Sequence, residues 1–218
     1  MTRTLAELVN RAAGLYRGGP RAVLGITGPP GAGKSTLAER LVTALAAAPP
    51  AGHDAGWVAY LPMDGFHLAD AELDRLGLRD RKGAPETFDA YGYAALLRRL
   101  REDRDEMIYA PGFERVLEQP IAGAIGLPRT ARLIVTEGNY LLLGDERWRA
   151  VRDLLDEVWY ADLEPDERLR RLVERHVRFG KPRDAAVAWA TGTDERNAEL
   201  IAATRDRADL IVRPAPPG

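Results

Sequence analysis

Short unbroken apolar runs alternate along this chain with longer stretches in which apolar residues return every third or fourth position. The first pattern predicts buried strands, the second amphipathic helices. "RAVLGIT" (21–27), "WVAYLPM" (57–63), the start of "ARLIVTEGNYLLL" (131–143), "DEVWYADL" (156–163) and "ADLIVR" (208–213) read as strands. "EMIYA" (106–110) and "IAGAIGL" (121–127) are shorter strand candidates. Leu5, Leu8, Val9, Ala12 and Leu15 mark one face of a helix within residues 1–19. "TLAERLVTALAAA", "YGYAALLRRLRED" (91–103) and "PDERLRRLVERHVRF" (165–179) predict further helices, the last with proline in its first turn. Residues 184–208 read as mostly helical. "APPAGHDAG" (48–56) is a loop by its Pro and Gly content, residues 68–90 an irregular excursion over the sheet edge, and "PAPPG" a frayed end. Strands alternating with helices predict an α/β fold with a mainly parallel sheet. One domain over 1–218 is expected.

Composition narrows the chemistry. A chain of 218 residues, 45% hydrophobic and 29% charged, can bury a core without staples. Net charge is −2, so no global basic field favours nucleic acid, and no basic stripe carries interleaved aromatics. Cysteine is absent, which excludes disulfides, thiolate catalysis and Cys-ligated zinc. His53, His67 and His176 are scattered without metal-ligand spacing. No apolar run approaches the length of a membrane span, and Glu7, Asn10 and Arg11 interrupt the N-terminal apolar stretch where a signal peptide would be continuous. A cytoplasmic location is the default expectation; homo-oligomerisation is left open.

Gly28-Pro29-Pro30-Gly31-Ala32-Gly33-Lys34-Ser35 fits G-x-x-x-x-G-K-[ST], after an apolar strand and before a helix. In such a loop, backbone N–H groups turn inward around phosphate oxygens and the helix N-terminus faces the same anion. Lys34 is expected to reach the β- and γ-phosphates, Ser35 to bind Mg²⁺, and Thr36 to serve the α-phosphate. The loop predicts a bound nucleotide triphosphate but not its reaction. No Asn-Lys pair exists to read guanine, so a GTPase is not indicated.

Two carboxylates stand where parallel strands would end, the place where ligands bind in such sheets. Glu137, in "LIVTEGNYLLL", can hold Mg²⁺ directly or through water. Asp64, in "MDGFH", can accept a proton from an attacking hydroxyl, although Asp-Gly is also a common turn pair. His67, in the same motif, suits a substrate contact or a structural role equally. In "RLRRLVERHVRFGK", Arg168, Arg171, Arg175 and Arg178 share an arc of roughly 80° on one helix. Phe179-Gly180-Lys181-Pro182 follows as a hinge candidate. Phosphoryl transfer uses cationic clamps that close over the γ-phosphate. Arg171, Arg175 and Arg178 are therefore candidate lid residues, with about 165–183 as the lid region.

Together these pieces resemble the uridine kinase, type I pantothenate kinase and phosphoribulokinase superfamily. The resemblance runs from about residue 20 to 213 through "GPPGAGKSTLA", "MDGFH", "RKGAPETFD" (81–89), "VTEGNYLL" and "TRDRADLIV" (204–212). It is greatest to bacterial kinases sharing MDGFH, EGNYLL and RHVRFGK, often labelled nucleoside/nucleotide or fructose-transport kinases. The resemblance implies a P-loop three-layer αβα fold with a helical lid, ATP and Mg²⁺ as cofactors, and Asp64 as base. It also implies that Tyr109 and Arg115, in "YAPGFER", line the acceptor pocket. Uridine kinases carry an Asp before the proline matching Pro85 and a His after the tyrosine matching Tyr109; here Gly83-Ala84 and Pro111-Gly112-Phe113-Glu114 stand instead. The expected activity is phosphorylation of a hydroxyl on a nucleoside, sugar or pantothenate-like alcohol. The alternative from another class is a regulatory NTPase without a small acceptor.

Overall fold

Five of the apolar runs pair side by side in a computed structural model that describes residues 3–213. In chain order the strands are β1 (Ala22–Thr27), β2 (Val58–Pro62), β3 (Met107–Glu114), β4 (Gln119–Pro128), β5 (Leu133–Glu137), β6 (Glu157–Ala161) and β7 (Leu210–Val212). The helices are α1 (Leu5–Ala13), α2 (Lys34–Ala47), α3 (Asp70–Leu76), α4 (Ala90–Glu102), α5 (Arg149–Arg152), α6 (Pro165–Arg178), α7 (Arg183–Trp189) and α8 (Glu195–Ala202). The main sheet has the order β2-β5-β1-β6-β7, every pair parallel. The expected fraying of 214–218 lies outside the described residues.

Each strand feeds two cores, because successive side chains point to opposite faces. Ala22, Leu24 and Ile26 of β1 meet Leu37, Leu41 and Leu45 of α2 and Leu8 of α1 on one face. Val23, Ile134 and Val158 meet α4 and the apolar segment Tyr140–Leu143 on the other. The result is the expected three-layer αβα arrangement. No helix among the described residues is long and apolar enough to cross a membrane.

Register is what makes this sheet a site. Glu137 at the end of β5 lies opposite Ile26 of β1 and Pro62 of β2. The three chains therefore leave the sheet at one level. One runs into the glycine-rich turn, one into Asp64 and one ends in Glu137.

Two expectations differ from the structure. Residues 68–90 are not wholly irregular, since α3 forms there, closed by Gly77 in the left-handed region (φ +68°). The strand candidates 106–110 and 121–127 do not join the main sheet. They lengthen into β3 and β4 and pair antiparallel as a separate ribbon. The connection between them is too short for the crossover that parallel neighbours need, so a hairpin is the available solution. Only the ribbon's base is in the core, through Ile108, Ala110 and Leu127.

α6, α7 and the turns around them carry a small apolar cluster of their own, Leu172, Val173, Ala186 and Ala190 with Leu169 against it. The helix expected over 184–208 is interrupted by a π-helical turn at 190–194. Such turns often sit beside functional sites.

Candidate functional site

The glycine-rich turn links β1 to α2, and Gly33 caps α2 in the left-handed region (φ +86°). Gly31 is also left-handed (φ +83°), and a Cβ there would lie 2.8 Å from the carbonyl oxygen of Arg168. Close passage of α6 over the loop thus requires glycine. Gly28 sits against β6 at Ala161, and Ala32 is buried with its amide bonded to the Pro29 carbonyl (3.1 Å).

Lys34 is buried, and its Nζ donates to the Pro29 carbonyl at 3.1 Å. Burial lowers its pKa to about 8, opposed by the nearby Glu137 carboxylate. Glu137 is itself buried and accepts from Ser35 Oγ and from Tyr60 OH, both at 3.0 Å on Oε1. Burial, followed by the field of Asp64, raises the proton affinity of Glu137 against the pull of Lys34. Tyr60 was not expected; burial beside Glu137 keeps its phenol protonated. A hydroxyl and a carboxylate in contact form an all-oxygen donor set that suits Mg²⁺. Among the described residues no cluster of three His, Asp or Glu could cage an ion.

Asp64 stands in the 3₁₀ turn Met63–Phe66 directly after β2. Its side chain is 33% exposed and pairs with Arg115 Nη2 at 3.5 Å, across from the end of β3. Gly65 lets the ribbon come this close, because a Cβ there would lie 2.1 Å from the Pro111 carbonyl oxygen. Gly65→Ala is expected to push the ribbon off the Asp64 turn and cost about 1–3 kcal/mol, the usual scale of overpacking. Chemical denaturation measures this, and an unchanged midpoint would show that the ribbon gives way freely.

His67 lines the same cavity as Asp64 and is also held by structural partners. Its Nδ1–H donates to the Asp64 carbonyl at 2.7 Å, and its ring lies between Phe88 (3.9 Å) and Phe113 (4.8 Å). Burial lowers its pKa, with Asp64 opposing. The unfolded chain therefore binds a proton near pH 6.5 that the folded chain resists, so stability is full above that pH and falls below it. Denaturation midpoints measured from pH 7.5 to 5 should fall, and fall less steeply in His67→Asn. Parallel slopes would mean another group titrates.

Asp64, Glu137, Lys34 and Ser35 open on one cavity of 410 Å³, whose far wall includes Arg115 and Arg175. Tyr109 is placed elsewhere. It is 63% exposed, on the opposite side of β3 from buried Ile108 and Ala110, and lies outside this lining. The period of a strand carries it there.

The arginine face divides by depth. Arg168 is buried and does not face a ligand: it donates to the Pro30 carbonyl (3.3 Å) and pairs with Glu195, clamping the foot of α6 to the loop. Arg171 pairs with Glu167 at 2.7 Å. Arg175 and Arg178 take no part in the ion pairs of α6 among the described residues. Arg171, Arg175 and Arg178 line a second cavity, of 460 Å³, together with Gly31, Gly33 and Thr36. Gly180, after α6, is left-handed (φ +93°), as a sharp bend there requires. Sequence reasoning missed His176 and Asp194, which line the first cavity and bond to each other at 2.7 Å. Nothing local marks them, because the pair joins α6 to the π-helical turn.

Comparison with known proteins identifies the family and the fold. The profile of the Phosphoribulokinase / Uridine kinase family matches residues 23–217. A protein of Schizosaccharomyces pombe named as a candidate uridine kinase is 35% identical over 80% of this chain and 74% of its own length. The protein YggC of Escherichia coli is 35% identical over 88% of this chain and 77% of its own. The crystal structure of a protein from Silicibacter, titled as a candidate fructose transport system kinase, superposes with a TM-score of 0.85. It is 37% identical, over 96% of this chain and 98% of that one.

Proposed function

The chain belongs to the phosphoribulokinase and uridine kinase family, and from that premise we propose that it transfers the γ-phosphoryl group of ATP to a hydroxyl of a small metabolite held against Asp64. The observation that carries this reading is the shared cavity. Asp64, Lys34 and Glu137 come from three different segments and border one space. A bare nucleotide hydrolase has no need of a second carboxylate bordering the same space as the phosphate-loop lysine.

In this reading the acceptor hydroxyl lies between Asp64 and the γ-phosphorus. Its oxygen forms the new O–P bond as the bond to the ADP oxygen breaks, and its proton passes to the Asp64 carboxylate. Lys34 and Arg175 stabilise negative charge on the moving group. Ser35 and Glu137 would hold Mg²⁺, which supplies charge neutralisation on the phosphate oxygens when bound. Arg115 keeps the Asp64 side chain turned to the cavity. The relatives bear different substrate names, so the acceptor is set by the wall facing Asp64, where this chain carries Lys82, Phe113 and Asn197.

The test is an ADP-release screen of the full chain against nucleosides, sugars and pantothenate-like alcohols. Low basal hydrolysis with strong stimulation by one acceptor class is expected. Steady hydrolysis indifferent to every acceptor would favour a regulatory NTPase and overturn the proposal.

A further inference from the structure

Three elements of the fold meet on one oxygen atom. Ser35 Oγ, from the first turn of α2, and Tyr60 OH, from β2, both donate to Oε1 of Glu137 at the end of β5, each at 3.0 Å. An ionised carboxylate oxygen has about two lone-pair sites, so these two donors fill Oε1. Oε2 takes no donor among the described residues and is not a buried orphan. Glu137 itself borders the cavity that holds Asp64 and Lys34.

We propose that Tyr60 is a positioning residue for the cation site. Together with Ser35 it occupies Oε1, and so holds the Glu137 carboxylate in the orientation that leaves Oε2 for a divalent cation. The inference rests on the kinase reading for the presence of a nucleotide and Mg²⁺; it adds a residue that acts through Glu137.

Strand register brings the pair together. Tyr60 lies opposite Val135 and Pro62 opposite Glu137 in the parallel pairing of β2 with β5. Tyr60 and Glu137 are therefore neighbours one step apart on the same face, the one that packs on α2. The phenol spans that diagonal, and its ring packs on the core beneath. The backbone under Glu137 is pinned from the other face. Tyr93 OH lies 2.6 Å from Thr136 Oγ1, and Thr136 Oγ1 donates to the Leu61 carbonyl at 2.6 Å. What remains free is rotation of the Glu137 side chain, and the Tyr60 bond removes it. Losing an outer partner of this kind typically costs about ten- to a hundredfold in metal affinity.

Tyr60→Phe keeps the ring in the core and deletes only the donor. Calorimetric titration of the full chain with ADP, once in EDTA and once in saturating Mg²⁺, tests the proposal. In the variant the dissociation constant in EDTA should stay within about twofold. In Mg²⁺ it should rise by about tenfold or more. Glu137→Gln should raise the Mg²⁺ value at least as far. The double variant should go no further than Glu137→Gln alone, because Tyr60 acts only through that carboxylate. Unchanged ADP affinity in Mg²⁺ for Tyr60→Phe overturns the assignment. An equal loss with and without Mg²⁺ also overturns it, since Tyr60 would then merely support the phosphate loop. Additive losses in the double variant do the same. An unaltered chain whose ADP affinity is indifferent to Mg²⁺ sinks this proposal alone. One that binds no ADP under either condition sinks the ATP reading with it.

Discussion

Asp64→Asn is expected to lower turnover by at least about a hundredfold, the scale of a lost general base, while ATP binds nearly as before. Asparagine keeps the size and the turn. It cannot take the proton of the acceptor hydroxyl, and it no longer pairs ionically with Arg115. Nucleotide affinity should be spared because Asp64 lines the cavity it shares with Glu137 and not the one bordered by Gly31, Gly33 and Thr36. The measurements are steady-state kinetics with the acceptor found by the screen and direct titration of ATP. Loss in kcat with ATP affinity retained supports the assignment. Full turnover in the variant would remove Asp64 from the chemistry. A parallel loss of ATP binding would instead make it a determinant of the nucleotide site.

Lys34→Met is expected to cut turnover by about a hundred- to a thousandfold, the usual effect of removing one donor aimed at developing charge. The two side chains have similar length, so the buried slot stays filled. What disappears is a cation in a site where burial magnifies charge. Burial already lowers the lysine's pKa to about 8, and Glu137 holds part of its charge in place. A triphosphate would add strong support for that charge, so tripolyphosphate affinity should fall with turnover. Intact turnover together with intact tripolyphosphate binding would contradict the cradle. The two variants separate cleanly. Lys34→Met damages phosphate handling whatever the acceptor, and Asp64→Asn damages the reaction while leaving phosphate handling intact.

Local patterns carried much of this in advance. A strand–glycine-rich turn–helix is legible because its function depends on backbone conformation, which consecutive residues set. Asp64 and Glu137 were legible as strand-end acids because apolar runs announce where buried strands stop. Other features had no local signal. Arg168 shares a helical arc with Arg171 and Arg175, and spacing alone cannot tell a buried clamp from a cavity-lining cation. Tyr109 was placed by resemblance, and the strand's own alternation sends it outward. Tyr60 meets Glu137 only because β2 and β5 are neighbours.

By itself the sequence determined the α/β class with a mainly parallel sheet, the glycine-rich loop between strand and helix, and the strand-end positions of Asp64 and Glu137, since hydrophobic period and turn chemistry act between residues close along the chain. Tertiary structure decided which strand ends stand level, which face of α6 is buried, and that Leu5 and Leu8 of α1 line the cavity bordered by Gly31, Gly33 and Thr36. Those outcomes come from strand register and core packing between segments far apart in the chain, and no local pattern encodes them.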